Sequence, residues 1–186
     1  MELYGERGYE QATVAEIADR AGLTARTFFR HFADKREVLF DGSDALRAQL
    51  LVALDAALDA APAKDAPFDA VVAALTHVCQ LIGGDRDHSV LRQAVIVANG
   101  ELKERELAKL AYWSDELAGG LRQRGVAEPA ASLAAETGVA VFRVAFDRWL
   151  AGPAGPAGPT LADTLHETVT QLRTVTAANP LLAQRS

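Results

Sequence analysis

Between Thr13 and Lys35 the chain reads TVAEIADRAGLTARTFFRHFADK, and no other stretch limits its fold so tightly. Thr13 is placed to cap a helix, with Glu16 three residues on completing a capping box. Val14, Ile17, Ala18 and Ala21 then recur at i, i+3, i+4 and i+7, one apolar stripe facing inward. Gly22 sits where this helix must stop, because glycine enters the left-handed cap conformation without a Cβ clash. Thr24 caps a second helix. That helix is expected to bury Leu23, Phe28 and Phe32 and to leave Ala25, Arg26, Thr27, Phe29, Arg30 and His31 variously exposed. Two short helices, a glycine turn and a polar second helix make a helix-turn-helix.

The rest of the chain also reads as helix, giving an all-α fold class. Period-2 strand patterns are absent and leucine and alanine dominate. Asp34 and Glu37 open a long helix predicted to run through Leu46, Leu50, Leu54 and Leu58 to about Ala60. APAKDAP, with Pro62 and Pro67, breaks the pattern. Further helices are predicted over about Phe68 to Ile82, Ser89 to Ala98 and Glu101 to Arg124. Gly119-Gly120 lies inside the last of these as a point of bending. Two more follow, from Glu128-Pro129 to about Leu150 and from about Thr160 to Ala178. Between them GPAGPAGP, residues 152–159, is too short for a triple helix and reads as a linker. The expected division is residues 1–42, the helix-turn-helix domain, and residues 43–186, a helical body.

Composition narrows the function classes. Hydrophobic residues make up 49% of 186, ample for a core. No window approaches the roughly 18 uninterrupted apolar residues of a membrane helix, and no signal peptide is visible, so a cytoplasmic location is the default expectation. The single cysteine, Cys79, excludes an internal disulfide and a thiolate metal cluster, and its apolar surroundings mark it as a small buried hydrophobe. His77, His88 and His166 lack metal-ligand spacing, so no metal and no cofactor is expected. Net charge is −6, which argues against a broad nucleic-acid coat. Its distribution is uneven: from Thr24 to Arg36 four cations face the lone acid Asp34, a net of +3, leaving −9 for the remainder. A basic edge on an acidic body suits a protein that touches DNA with one surface.

Residues 4–40, YGERGYEQATVAEIADRAGLTARTFFRHFADKREVLF, resemble the TetR family of bacterial transcriptional regulators. The match lies in Gly8-Tyr9 after the first helix, Thr-Val opening the second, Ile-Ala within it and Ala-Gly at the turn. The aromatic pair, His-Phe and Lys35 complete it. The resemblance implies nine or ten helices, a homodimer formed through the last two, and a ligand cavity in the body whose occupation releases DNA. Family members begin their first helix a dozen or more residues before Leu3-Tyr4 and often carry basic residues there to hold DNA phosphates, so either the native chain starts upstream of Met1 or these residues were trimmed. Two positions also depart: Arg26 stands where glycine is common, and Phe29 where a tyrosine commonly offers its hydroxyl to phosphate. The segment NGELKERELAKLAYWSDELAGGLRQRG resembles, more loosely, regulators grouped with binders of acyl-CoA-like ligands.

DNA reading needs phosphate contacts for pose and base contacts for sequence. Thr13, Thr24 and Lys35, at helix starts, are the expected phosphate contacts. Arg26, Thr27 and Arg30 are the groove candidates, with Ala25 small enough for close approach, Phe29 beside them, and His31 structural or near phosphate. Taken singly, each also fits an ordinary solvated face. Val139, Phe142, Val144, Phe146, Leu165, Val169, Leu172 and Val175 suit pairing of the last two helices. For a small apolar effector the candidate lining is Leu91, Val95, Tyr112, Trp113, Phe142, Phe146 and Trp149, each equally readable as plain core. The reading is a ligand-responsive regulator of a double-stranded operator, a repressor rather than an enzyme, with no membrane partner. A carrier or enzyme with a vestigial DNA module is the alternative; a carrier would bind its ligand with no change in DNA affinity.

Overall fold

The computed structural model describes residues 1–60, 66–153 and 158–177. Ten α-helices and no strand occur among them: α1 Glu2–Arg7, α2 Val14–Arg20, α3 Ala25–His31, α4 Glu37–Phe40, α5 Ser43–Ala60, α6 Pro67–Ile82, α7 Arg86–Ala98, α8 Gly100–Gln123, α9 Ala130–Ala151 and α10 Leu161–Ala177. The 61–65 part of the predicted break, the 154–157 part of the GPAGPAGP segment and the Ala178 end of the last helix lie outside the described residues. No single described helix is long and apolar enough to cross a membrane.

The expected long helix after Lys35 is in fact two. α4 stops at Phe40, Gly42 takes a φ of 77°, and α5 starts afresh at Ser43. The Asp41 carboxylate accepts the Gly42 N–H at 3.0 Å and closes the corner. The start of α4 keeps the expected residues in altered roles. Asp34 Oδ1 accepts the N–H groups of Arg36 (2.8 Å) and Glu37 (3.3 Å), while Glu37 reaches back to the N–H of Ala33 at 2.7 Å.

The chain divides into two compact units, Met1–Arg47 with Asp85–Leu110, and Ala48–Gly84 with Ala111–Ser186. The first thus draws α7 and the start of α8 to the helix-turn-helix, a grouping the division at residue 42 does not contain. Its core joins Leu3, Tyr4, Tyr9, Ala12, Leu39, Phe40, Val95, Ile96 and Leu102. Arg92 stitches this unit together. Its Nε donates to the carbonyl of Leu39 at 2.8 Å, and its terminal nitrogen meets Glu106 at 2.8 Å, which also holds Lys109 at 2.6 Å. Burial alone would raise the Glu106 pKa, but the Lys109 and Arg92 cations outweigh it and hold the carboxyl below its usual range.

In the second unit α6, α9 and α10 pack together over Val71, Ala74, Leu75, Val78, Ala135, Val139, Leu161 and Leu165. Gly138 lets α9 approach α6 closely, since a Cβ there would lie 2.4 Å from Val71 Cγ1. Gly120 does the same for α8 against Leu54, at 2.8 Å. Cys79 is buried, and desolvation pushes its thiol up to about 12. His77 and His166 find polar partners, Gln49 at 3.3 Å and Thr76 at 3.1 Å.

Candidate nucleic-acid interface

The helix-turn-helix forms from its own local chemistry. Thr13 accepts the N–H of Glu16 at 3.3 Å, and Glu16 accepts the Thr13 N–H at 3.0 Å and its hydroxyl at 2.8 Å. Those two Thr13 donors hold the Glu16 carboxyl below its usual pKa. At the far end of α2 the N–H of Gly22 bonds to Asp19 at 2.9 Å and that of Leu23 to Ala18 at 2.8 Å, with Gly22 at φ 69°. This double closure is a Schellman motif. Thr24 then caps α3 by accepting the N–H of Thr27 at 3.2 Å.

Two expectations about this motif need correction. Leu23 is not buried by α3; it lies in the turn before that helix and is 44% exposed. Ala21 is the exposed C-cap of α2 rather than the end of its apolar stripe. Phe28 does anchor α3, at 3% exposure, and its ring meets Phe32 at 5.2 Å and Phe29 at 5.6 Å.

Helix geometry, about 100° per residue, orders the outward residues of α3 into three pairs one turn apart. Arg26 and Arg30 lie opposite the Phe28–Phe32 side, at the centre of the exposed surface. Ala25 and Phe29 flank them on one side, Thr27 and His31 on the other. Phe29 is 57% exposed. Among the described residues neither Arg26 nor Arg30 meets a carboxylate; Arg30 reaches only His31 Nε2, at 3.4 Å. The neighbouring arginines are all engaged: Arg7 with Glu16, Arg20 with Glu6 at 2.9 Å, and Arg36 with Asp34 at 2.5 Å. Glu6, Glu16 and Asp34 are thereby paired away from α3, and Arg26 and Arg30 are exposed.

Lys35 takes a different place from the one expected. Its ammonium donates to the carbonyls of Tyr9 (2.8 Å), Glu10 (3.1 Å) and Ala12 (3.3 Å) and sits 4.4 Å from the centre of the Tyr9 ring. An ammonium has three donors, and all three are used inward. Tyr4 completes the clasp, donating its hydroxyl to the Lys35 carbonyl at 2.7 Å. Sequence reasoning missed the roles of Tyr4, Glu6 and Arg20; the two aromatics on either side of Gly8 were the available signal.

The effector candidates fall into both units. Val95 belongs to the core of the first, and Leu91 there lies where a Cβ on Gly5 would touch it, 2.8 Å away. In the second unit Trp113, Phe142, Phe146 and Trp149 form a continuous aromatic row with centroid spacings of 5.9, 6.0 and 5.9 Å. Trp113, Phe142 and Trp149 are buried, whereas Tyr112 is 50% exposed. Next to Trp113 the Ser114 hydroxyl is buried with no hydrogen-bond partner among the described residues. Of the pairing candidates, Val139, Leu165 and Val169 are buried inside the unit and Val144 and Val175 are exposed.

Over residues 1–41 the chain matches the family model of bacterial regulatory proteins, tetR family. That match is confined to the N-terminal module. The chain is also 36% identical over 126 residues to the HTH-type transcriptional regulator TcmR of Streptomyces glaucescens, an alignment covering 65% of this chain and 53% of that protein. It thus spans about half the length of this curated relative. The crystal structure of PfmR, a TetR family transcriptional regulator from Thermus thermophilus, superposes with a TM-score of 0.54 at 23% identity. That superposition covers 92% of this chain and 93% of the other, so the all-α architecture is shared well beyond the TetR module.

Proposed function

We propose that the chain is a DNA-binding transcriptional regulator, a repressor that sits on a palindromic operator as a homodimer and leaves it when a small apolar ligand binds. The observation that carries this reading is the outward face of α3, where Arg26 and Arg30 are held on a capped, anchored helix and meet no carboxylate among the described residues. Such a face suits base edges in the major groove, where arginine pairs with guanine O6 and N7. One helix reads only a few base pairs, and two-fold pairing sets two of them on symmetric half-sites. Exposed Leu133 and Val144 on α9 and Val175 on α10 support a pairing surface there, built from different residues than Leu165 and Val169. For the effector, the Trp113–Trp149 aromatic row supports an apolar site in the second unit whose chemistry suits an acyl chain.

The test is a gel shift of the purified chain on its own upstream region against random duplex, over a range of salt, with and without long-chain acyl-CoA. Salt-sensitive preference for the upstream fragment is expected, weakened by the ligand. Equal binding to both duplexes would refute the regulator; preference that no apolar ligand alters would refute the release mechanism alone.

A further inference from the structure

Phe29 is unexplained by a purely cationic interface. It is 57% exposed, and no packing against the core requires an aromatic there, since Phe28 and Phe32 already anchor α3. Its ring stands edge-on to Phe28, with centroids 5.6 Å apart and planes at 86°. One turn earlier comes Ala25, too small to shield it, so Ala25 and Phe29 form an apolar strip directly beside the Arg26–Arg30 row. A phenyl ring offers no hydrogen-bond donor or acceptor. It therefore reads neither purine edges nor phosphate oxygens by hydrogen bonding. The major-groove floor presents one apolar group, the 5-methyl of thymine.

We propose that Phe29 is a specificity-determining residue that packs on a thymine 5-methyl group in each half-site, within one or two base pairs of the guanine met by the arginine row. This rests on the regulator reading above and adds to it the identity of a base. The strip is set beside the cationic row, so the thymine and the guanine lie next to one another on the duplex. Phe29 also desolvates that step, which strengthens the neighbouring arginine contacts.

The experiment separates the two claims. The full chain is first used to enrich binding sites from a random duplex library. Failure to enrich any sequence overturns the regulator reading, and this inference with it. In the enriched duplex, each thymine of one half-site is then replaced in turn by deoxyuridine, which removes the methyl and leaves every hydrogen-bonding group in place. Affinity is expected to fall about fourfold at one thymine, the worth of one buried methyl group, and to stay level at the others. The Phe29→Ala chain is expected to bind thymine and deoxyuridine duplexes alike, the roughly fourfold difference between them abolished. A scan with no sensitive thymine overturns the inference while leaving DNA binding intact. So does a Phe29→Ala chain weakened equally on every duplex, the mark of a contact to sugar or phosphate. The deoxyuridine scan uses the unaltered chain, so its outcome does not depend on the stability of the variant.

Discussion

At the scale of single residues, Lys35 takes a role other than the one its chemistry first suggests, while the arginines of α3 keep theirs. Lys35 follows a basic, aromatic helix and reads from sequence as a phosphate contact. Its ammonium instead ties three carbonyls of the loop between α1 and α2. No local pattern reveals this, because the acceptors lie 23 to 26 residues earlier in the chain. Lys35→Gln should therefore cost about 2 kcal/mol of stability, the usual worth of hydrogen bonds to a charged group, and show in urea unfolding. It should leave the salt dependence of DNA binding unchanged. Arg26→Ala and Arg30→Ala should do the reverse, each costing about 1–3 kcal/mol of operator affinity and relaxing the preference at one base pair, with stability altered by less than about 0.5 kcal/mol. A Lys35→Gln chain of full stability and reduced slope would restore the phosphate role.

At the scale of elements, the caps were legible and one boundary was not. Thr13, Glu16, Gly22 and Thr24 act within five residues of themselves, so their sequence signature carries the whole interaction. The corner at Asp41-Gly42 was hidden because the apolar spacing runs on from Val38 and Leu39 to Leu46 and Leu50. A glycine inside a helix costs only about 1 kcal/mol, too little to forbid the longer helix by itself. Thr13→Ala should destabilise the module by about 1 kcal/mol, measured by thermal or urea unfolding. Gly22→Ala, forced to a φ of 69°, should cost about 1–2 kcal/mol. The Glu16 carboxyl titrates lower in the folded chain than in the unfolded one, because the Thr13 N–H and hydroxyl favour its ionised form. Its contribution is present above the ordinary carboxylate pKa and fades as pH falls through the folded value. A pH series of amide exchange across α2 should show protection declining on acidification, and Glu16→Gln should remove that dependence.

At the scale of the whole molecule, the all-α class follows from hydrophobic periodicity, whereas the two-unit division does not. Asp85–Leu110 joins the N-terminal module through Arg92, Val95, Ile96 and Leu102, contacts between segments more than forty residues apart. That is also why Val95 could pass for a pocket residue: a buried valine on a helix looks the same from sequence whichever unit it serves. In the second unit, Gly138→Ala should push α9 from α6 and cost about 1–3 kcal/mol by overpacking. Cys79, buried and raised to about 12, should resist a thiol reagent at pH 8 in the folded chain and react fully in denaturant.

The two unneutralised guanidinium groups of α3 have a consequence for handling the protein. A chain of net charge −6 should pass straight through a cation exchanger at neutral pH. Adsorption, however, depends on the local field at the contacting patch rather than on the sum. The intact chain should be retained on a sulfated heparin column at low ionic strength and eluted by modest salt. The Arg26→Ala, Arg30→Ala double variant should emerge in the void volume.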